Sequence, residues 1–177
     1  MRFLEMLLVI VATLWHTCWC ADFTNYWNKD FAKKIIVAGD TVWESTSCGF
    51  VKRDTSGTIL GTFTLANGLP EYMIHDFDID KKRRLWYVGD SGFYCFNGIN
   101  WSAYHPTVKL MNNNAKIKVD SVGKIWCSAY SRLFRFDGKD YLFFDSTNVD
   151  SLKTISTIYI DRFNNLWVGS GLLNKQR

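Results

Sequence analysis

The feature that most constrains this chain is a phrase it writes four times: alternating apolar residues, a polar turn, an aliphatic residue and a tryptophan. Its clearest copy runs from Ile158 to Gly169 through Asp161, Leu166 and Trp167. Earlier copies end on Val42-Trp43, Leu85-Trp86 and Ile125-Trp126, so successive tryptophans lie 43, 40 and 41 residues apart. In three copies an aspartate, Asp80, Asp120 or Asp161, stands six residues ahead of the tryptophan. An internal period of this length marks a solenoid or a propeller, whose units bury their apolar faces only against their neighbours.

Periodicity within the repeat decides what each unit is made of. Phe77 and Ile79, Ile117 and Val119, and Ile158 and Ile160 occupy equivalent places and alternate with Asp78, Lys118 and Tyr159. Period two means a strand with one buried face. A turn follows, then the tryptophan strand, then a further run such as Phe93–Phe96 or Leu133–Phe136. Asn97-Gly98 and Asp137-Gly138 come next, and predict tight hairpins in which both central residues take positive φ. Aromatic residues spaced three apart close the unit: Leu60 and Phe63, Trp101 and Tyr104, Tyr141 and Phe144. No stretch has the pattern of an amphipathic helix.

Each repeat therefore holds about four short strands, with approximate limits 21–64, 65–105, 106–145 and 146–177. Four-stranded antiparallel units of about 40 residues are β-propeller blades, with large apolar residues packed between neighbours. The expected fold is all-β: an incomplete ring of three blades plus a partial fourth. The last copy is the most altered, since the step from Trp167 to Gly171 is two residues shorter than that from Trp86 to Gly92. Propellers close with about four to eight blades. A partial ring leaves apolar faces and strand edges in water, which favours pairing with other chains. Two readings follow: the front part of a longer protein, or a shortened one that associates with copies of itself. Phe23 and Tyr26 are expected to supply an outer strand that helps closure.

The first twenty residues read as an export signal. Arg2 gives a positive start, Met6 to Trp15 is a short apolar run, and small residues precede Ala21. That run is about half of the roughly twenty residues a membrane-crossing helix needs, so no stable membrane insertion is expected once it is removed. Of five cysteines, Cys48, Cys95 and Cys127 lie beyond it. They show no metal-ligand spacing, and each sits in or beside an apolar run as a small buried hydrophobe does. No metal or cofactor is expected. The net charge of +4 is spread through turns rather than gathered on one face, which argues against nucleic acid as a partner.

Candidate chemical groups each have a plainer reading. Asp76, Asp78 and Asp80 alternate like the start of a calcium loop, but Lys81 replaces its glycine and Tyr87 its terminal glutamate, so they are expected to be solvent-facing strand carboxylates. Lys81-Lys82-Arg83-Arg84 resembles a polyanion-binding patch, yet it fills a hairpin turn that recurs in other copies. His75 and His105 have no serine or cysteine nucleophile motif beside them. The loops at the mouth are the expected ligand site, with Tyr72, Lys109 and Asn112, Asn113 and Asn114 as candidates.

Two propeller classes are excluded by residues: no tryptophan is followed by aspartate, as in WD repeats, and no Gly-Gly doublet occurs, as in kelch repeats. The pattern resembles the two-component regulator propeller repeat, an apolar strand leading to D-x-x-G-x-[LI]-W-[VI]-G-T. Asp120, Gly123, Ile125 and Trp126 fit it, as do Asp161, Leu166, Trp167, Val168, Gly169 and Ser170. Asn67-Gly68-Leu69-Pro70 is similar to the family's connection between blades. The resemblance implies an extracytoplasmic ligand-sensing module, periplasmic or extracellular, whose ligand is a carbohydrate or another small molecule. It implies no catalytic residues; Trp43, Trp86, Trp126, Trp167, Asp80, Asp120 and Asp161 are architectural positions in this reading. A secreted protein-interaction scaffold, and a propeller polysaccharide lyase or glycosidase, are the alternatives.

Overall fold

The computed structural model describes residues 32–106, 114–129, 131–145, 149 and 154–171. The expected export signal, Phe23 and Tyr26 lie outside the described residues. Strands β1 (Ala32–Ala38), β2 (Thr41–Thr46), β3 (Gly49–Asp54) and β4 (Ile59–Phe63) form one antiparallel sheet in that order. The second sheet is β5 (Asp76–Ile79), β6 (Leu85–Val88), β7 (Phe93–Phe96) and β8 (Trp101–Tyr104). The third is β9 (Lys116–Val119), β10 (Ile125–Ala129), β11 (Arg132–Phe136) and β12 (Tyr141–Phe144). Strands β13 (Thr154–Ile160) and β14 (Leu166–Gly171) form a two-stranded sheet.

The register repeats with the sequence. Ile36 faces Trp43, Asp78 faces Trp86, Lys118 faces Trp126 and Tyr159 faces Trp167 across the first two strands of the sheets. Alternation then sends the residues of each sheet to opposite faces, one toward the preceding sheet and one toward the next. Trp43, Phe50 and Phe63 of the first sheet meet Phe77, Leu85, Tyr87 and Phe96 of the second. Trp86, Val88, Phe93 and Cys95 of the second meet Ile117, Ile125, Cys127 and Phe134 of the third. Trp126, Leu133 and Phe144 of the third meet Ile155, Ile158 and Val168.

These layers are aromatic. Phe50 lies edge-on to Phe77 with ring centroids 5.3 Å apart, and Phe93 lies 5.6 Å from Phe134. Such pairs contribute about 0.5–1.5 kcal/mol beyond their burial. The first three repeat tryptophans each carry a cation over the ring: Lys52 on Trp43, Arg84 on Trp86 and Arg135 on Trp126, at 5.3–5.8 Å.

The two outermost faces are bare. Ile35 and Val37 of β1 are 56% and 64% exposed, whereas Phe77 and Ile79, which hold the same places in β5, are fully buried and half-buried. Tyr159 and Trp167 of the last sheet are 60% and 61% exposed, whereas Trp43 and Trp86 are buried.

The hairpins differ from the expected form. Gly98 and Gly138 take φ of 100° and 103°, but Asn97 and Asp137 are not at positive φ. The loops between β7 and β8 and between β11 and β12 are four residues long, and the Asn or Asp side chain turns onto the backbone. Asn97 Oδ1 accepts the Ile99 and Asn100 N–H groups, and Asp137 Oδ1 those of Lys139 and Asp140. An Asx turn places the strain on glycine alone, so the two-residue type I′ turn is not needed.

Candidate functional site

The aspartate that precedes each of three tryptophans closes its turn as a hydrogen-bonded box. Asp80 Oδ1 accepts the Lys82 and Arg84 N–H groups at 2.9 Å each, while Oδ2 accepts Arg84 Nε at 2.7 Å and Trp86 Nε1 at 3.2 Å. Asp120 takes Val122 N, Lys124 N and Trp126 Nε1 in the same way. Asp161 takes Phe163 N, Asn165 N and, at 2.9 Å, Trp167 Nε1. The indole donor lowers the Asp161 pKa to about 2, with the Asn165 N–H adding to it. Arg83, Gly123 and Asn164 hold one equivalent turn position at φ of 61°, 89° and 67°. The first sheet has no such box.

Innermost strands are joined to one another by carboxylates, which corrects the expectation that Asp76 and Asp78 face solvent; Asp80, expected to do the same, is buried in its box. Asp76 is buried; one oxygen accepts Lys34 Nζ at 2.6 Å and the other accepts the Ile117 N–H at 3.0 Å. Asp78 accepts the Val119 N–H at 2.9 Å. Without them, the edge N–H groups of β9 would lack partners from the neighbouring sheet. Turns join as well: Arg83 donates to Asp40 and to the Ala38 carbonyl, and Asn164 Oδ1 accepts the Ser121 N–H. Thus, in the basic turn, Arg83 and Arg84 are engaged while Lys81 and Lys82 are exposed.

At this turn end, the inner strands and their turns enclose a cavity of about 390 Å³ between the second, third and last sheets. Asp78, Lys81, Lys118, Tyr159, Arg162 and Asn164 line it. A second cavity of about 380 Å³ adjoins it between the turns of the second and third sheets, and shares Lys81 and Ser121. Lys118 Nζ stands 4.0 Å from Asp78, and the Arg162 guanidinium lies 4.6 Å over the Phe163 ring.

The opposite end of the second sheet holds a different cluster. Glu71 receives the Asp90 and Ser91 N–H groups and the Tyr94 hydroxyl, at 2.7–3.2 Å. Its main chain bonds Tyr87, whose hydroxyl donates to the Glu71 carbonyl at 2.9 Å. Burial holds both phenols well above the usual tyrosine range, and they stay neutral. His75 Nε2 is 2.6 Å from Asp90, with its side chain only 4% exposed. The cluster clamps the connection to β5 against the β6–β7 hairpin.

Of the expected mouth residues, Tyr72 is on that connection and 48% exposed. Asn114 is exposed, while Lys109, Asn112 and Asn113 lie outside the described residues. Nothing brings Tyr72 and Asn114 together in a described site. Cys48, Cys95 and Cys127 are free thiols; burial pushes Cys95 up to about 11 and Cys127 well above the usual range. Among the described residues, no group of three His, Cys, Asp or Glu is placed to hold a metal ion, and no helix is long and apolar enough to cross a membrane.

The cavity residues Lys118, Tyr159, Arg162 and Asn164 were not singled out by sequence reasoning. Their signal was present: Asp78, Lys118 and Tyr159 share one strand position across the repeats, yet the residue type changes each time. Architecture repeats its residues; such a position does not.

The geometry matches solved structures although no protein-family profile and no curated protein sequence matches the chain. The extracellular domain of the hybrid two component system BT3049 from B. thetaiotaomicron aligns with a TM-score of 0.60 at 19% identity, over 77% of this chain and 20% of that one. Virginiamycin B lyase from Staphylococcus aureus aligns with a TM-score of 0.61 at 18% identity, over 80% of this chain and 50% of that one. The structure of YCF48 bound to D1 peptide aligns at 0.55 and 11% identity, over 82% of this chain and 49% of that one. The chain is an incomplete β-propeller. Its four-stranded sheets are blades, and it spans half or less of the length of these propeller chains. At such identities the likeness establishes the fold alone.

Proposed function

We propose that this propeller is an exported, non-enzymatic binding module of the sensor type, which holds a small polar ligand on its concave inner face. The supporting observation is the cavity of about 390 Å³ at the turn end, where three blades converge. Its volume is in the range of small-ligand sites, about 300–1,000 Å³. Its walls are inner strands fixed by Asp76, Asp78 and the aspartate boxes, so the groups that face a ligand are preorganised. The likeness to the extracellular domain of BT3049 and the apolar run before Ala21 support export.

A lyase is the competing reading, since virginiamycin B lyase has a similar fold and its H270A variant is described as catalytically inactive. The placement of the two described histidines disfavours it: His105 is exposed but sits beside the Ser91 carbonyl, and neither histidine lines the turn-end cavity. His75 is withdrawn beneath the surface and bonded to Asp90, out of reach of a substrate. The test is a panel of neutral and charged oligosaccharides, each followed for binding by calorimetry and for turnover by chromatography. Saturable binding with no product is the expected outcome. Appearance of a cleaved product would sink the non-enzymatic reading, and absence of binding across the panel would sink the ligand-binding one.

A further inference from the structure

We infer that two copies of this chain dock head to tail, the last blade of each against the first blade of the other, and so close one ring. What covers each bare face is written inside the molecule, where the same faces meet between neighbouring blades. Ile36 and Ile79 pack in the layer between the first two blades, and there the Trp43 ring lies 6.2 Å from that of Phe96. By register, Tyr159 and Trp167 of the last blade hold the places of Ile36 and Trp43. Val37 and Arg53 of the first blade hold the places of Ile79 and Phe96. A second copy set one blade-step beyond the last blade therefore brings its Val37 to Tyr159 and its Arg53 to Trp167.

The chemistry of the two faces favours unlike pairing. Where the second blade offers a phenyl ring to Trp43, the first blade offers the Arg53 guanidinium in the same place. Arg53 Nε donates to Glu44 Oε1 at 3.0 Å and Nη1 to the Gly57 carbonyl at 3.2 Å, so the group is already fixed. A guanidinium held in this way is suited to the face of an indole, as Arg84 and Arg135 are placed over Trp86 and Trp126. A pair of first faces would bury two Glu44–Arg53 ion pairs with no ring to receive them, and a pair of last faces would leave Ile35 and Val37 in water. Head-to-tail contacts either close a ring or run on as a filament. The chain spans about half of each of two whole propeller chains of similar fold, so two copies together match one of them in length and the second contact closes the ring.

Sedimentation equilibrium of the full chain tests the pairing. The mass is expected to rise from one copy to two with concentration and to stop there. Each contact uses one face of each kind, so Val37→Lys alone and Trp167→Ser alone are each expected to give monomers, with circular dichroism like that of the parent. Arg53→Gln is expected to raise the dissociation constant about tenfold. Ile99→Ser, at an 83% exposed turn position off both faces, is expected to leave the pair intact. A parent chain that is monomeric at every concentration overturns the inference, and so does a mass that climbs past two copies, the mark of a filament. Pairing that survives either Val37→Lys or Trp167→Ser overturns it in favour of like faces meeting. Equal loss in Ile99→Ser overturns it as general stickiness, and an unchanged constant in Arg53→Gln overturns the contact with Trp167.

Discussion

A single carboxylate does three jobs in each aspartate box: it closes a turn, caps two backbone donors and fixes a tryptophan by its ring nitrogen. Asp80 does so in a buried setting and Asp161 in an exposed one. Asp80→Asn keeps the shape but places an amide donor against other donors. We expect it to cost about 2 kcal/mol, the scale for lost hydrogen bonds to a charged group, as read from urea unfolding. Asp161→Asn is expected to cost less, because water screens that site. The Asp161 pKa falls from 3.8 to about 2 on folding. Its contribution is therefore complete above about pH 4 and is lost as pH falls through 2. The difference in unfolding midpoint between Asp161→Asn and the parent should shrink over that window and vanish below it; an unchanged difference would show that the ionised carboxylate is not what matters. Sequence spacing marked these aspartates as part of the repeat. It could not say why, because the indole contact forms only once the hairpin brings residues six apart side by side.

At the level of elements, the strands were legible and their couplings were not. Alternation identified β5, β9 and β13, and the recurring tryptophan identified the strands paired with them. Asp76 and Asp78 looked solvated for the same reason: alternation reports which face a side chain leaves from, and cannot report that the next blade's edge waits there. The turn chemistry was half legible, since Gly98 and Gly138 do take positive φ while Asn97 and Asp137 act through their side chains. Glycines differ in what they are for. Gly49 has φ of 143°, and a Cβ there would strike the Phe63 carbonyl, whereas a Cβ at Gly98 would meet open space. Gly98→Ala should cost about 1 kcal/mol from backbone conformation alone. Gly49→Ala should cost clearly more, and equal losses in urea unfolding would refute the steric part of that account.

For the whole molecule, the decisive contrast is between the same residue inside and at the end of the row. Trp86 is buried between two blades, and Trp167, its equivalent, is 61% exposed. Removing Trp86 should therefore cost about 3–5 kcal/mol, while Trp167→Ala should cost much less, chiefly the loss of its bond to Asp161. We propose that the bare faces, Ile35 and Val37 on one side and Tyr159 and Trp167 on the other, associate with further blades or with another copy. Sedimentation should then give a mass that rises with concentration, and Trp167→Ser with Val37→Lys should bring it to the monomer value. A parent protein that stays monomeric at high concentration would refute the association. Repetition made the blade architecture readable from tryptophan spacing. The turn-end cavity was not readable, since its walls come from three repeats at strand and turn positions where the residue types differ.

One side chain gives the row of blades an order of unravelling. Asp76 holds Lys34 of the first blade and the Ile117 amide of the third, so the second blade is tied on both sides through a single carboxylate. The two-stranded last sheet hangs on the row by one face only. In a linear array, opening starts where a unit has one neighbour and reaches last the unit with two. Amide protons of β6, β7, β10 and β11, in the two blades with a neighbour on each side, should therefore outlast all others, and those of β13 and β14 should be the first to reach solvent.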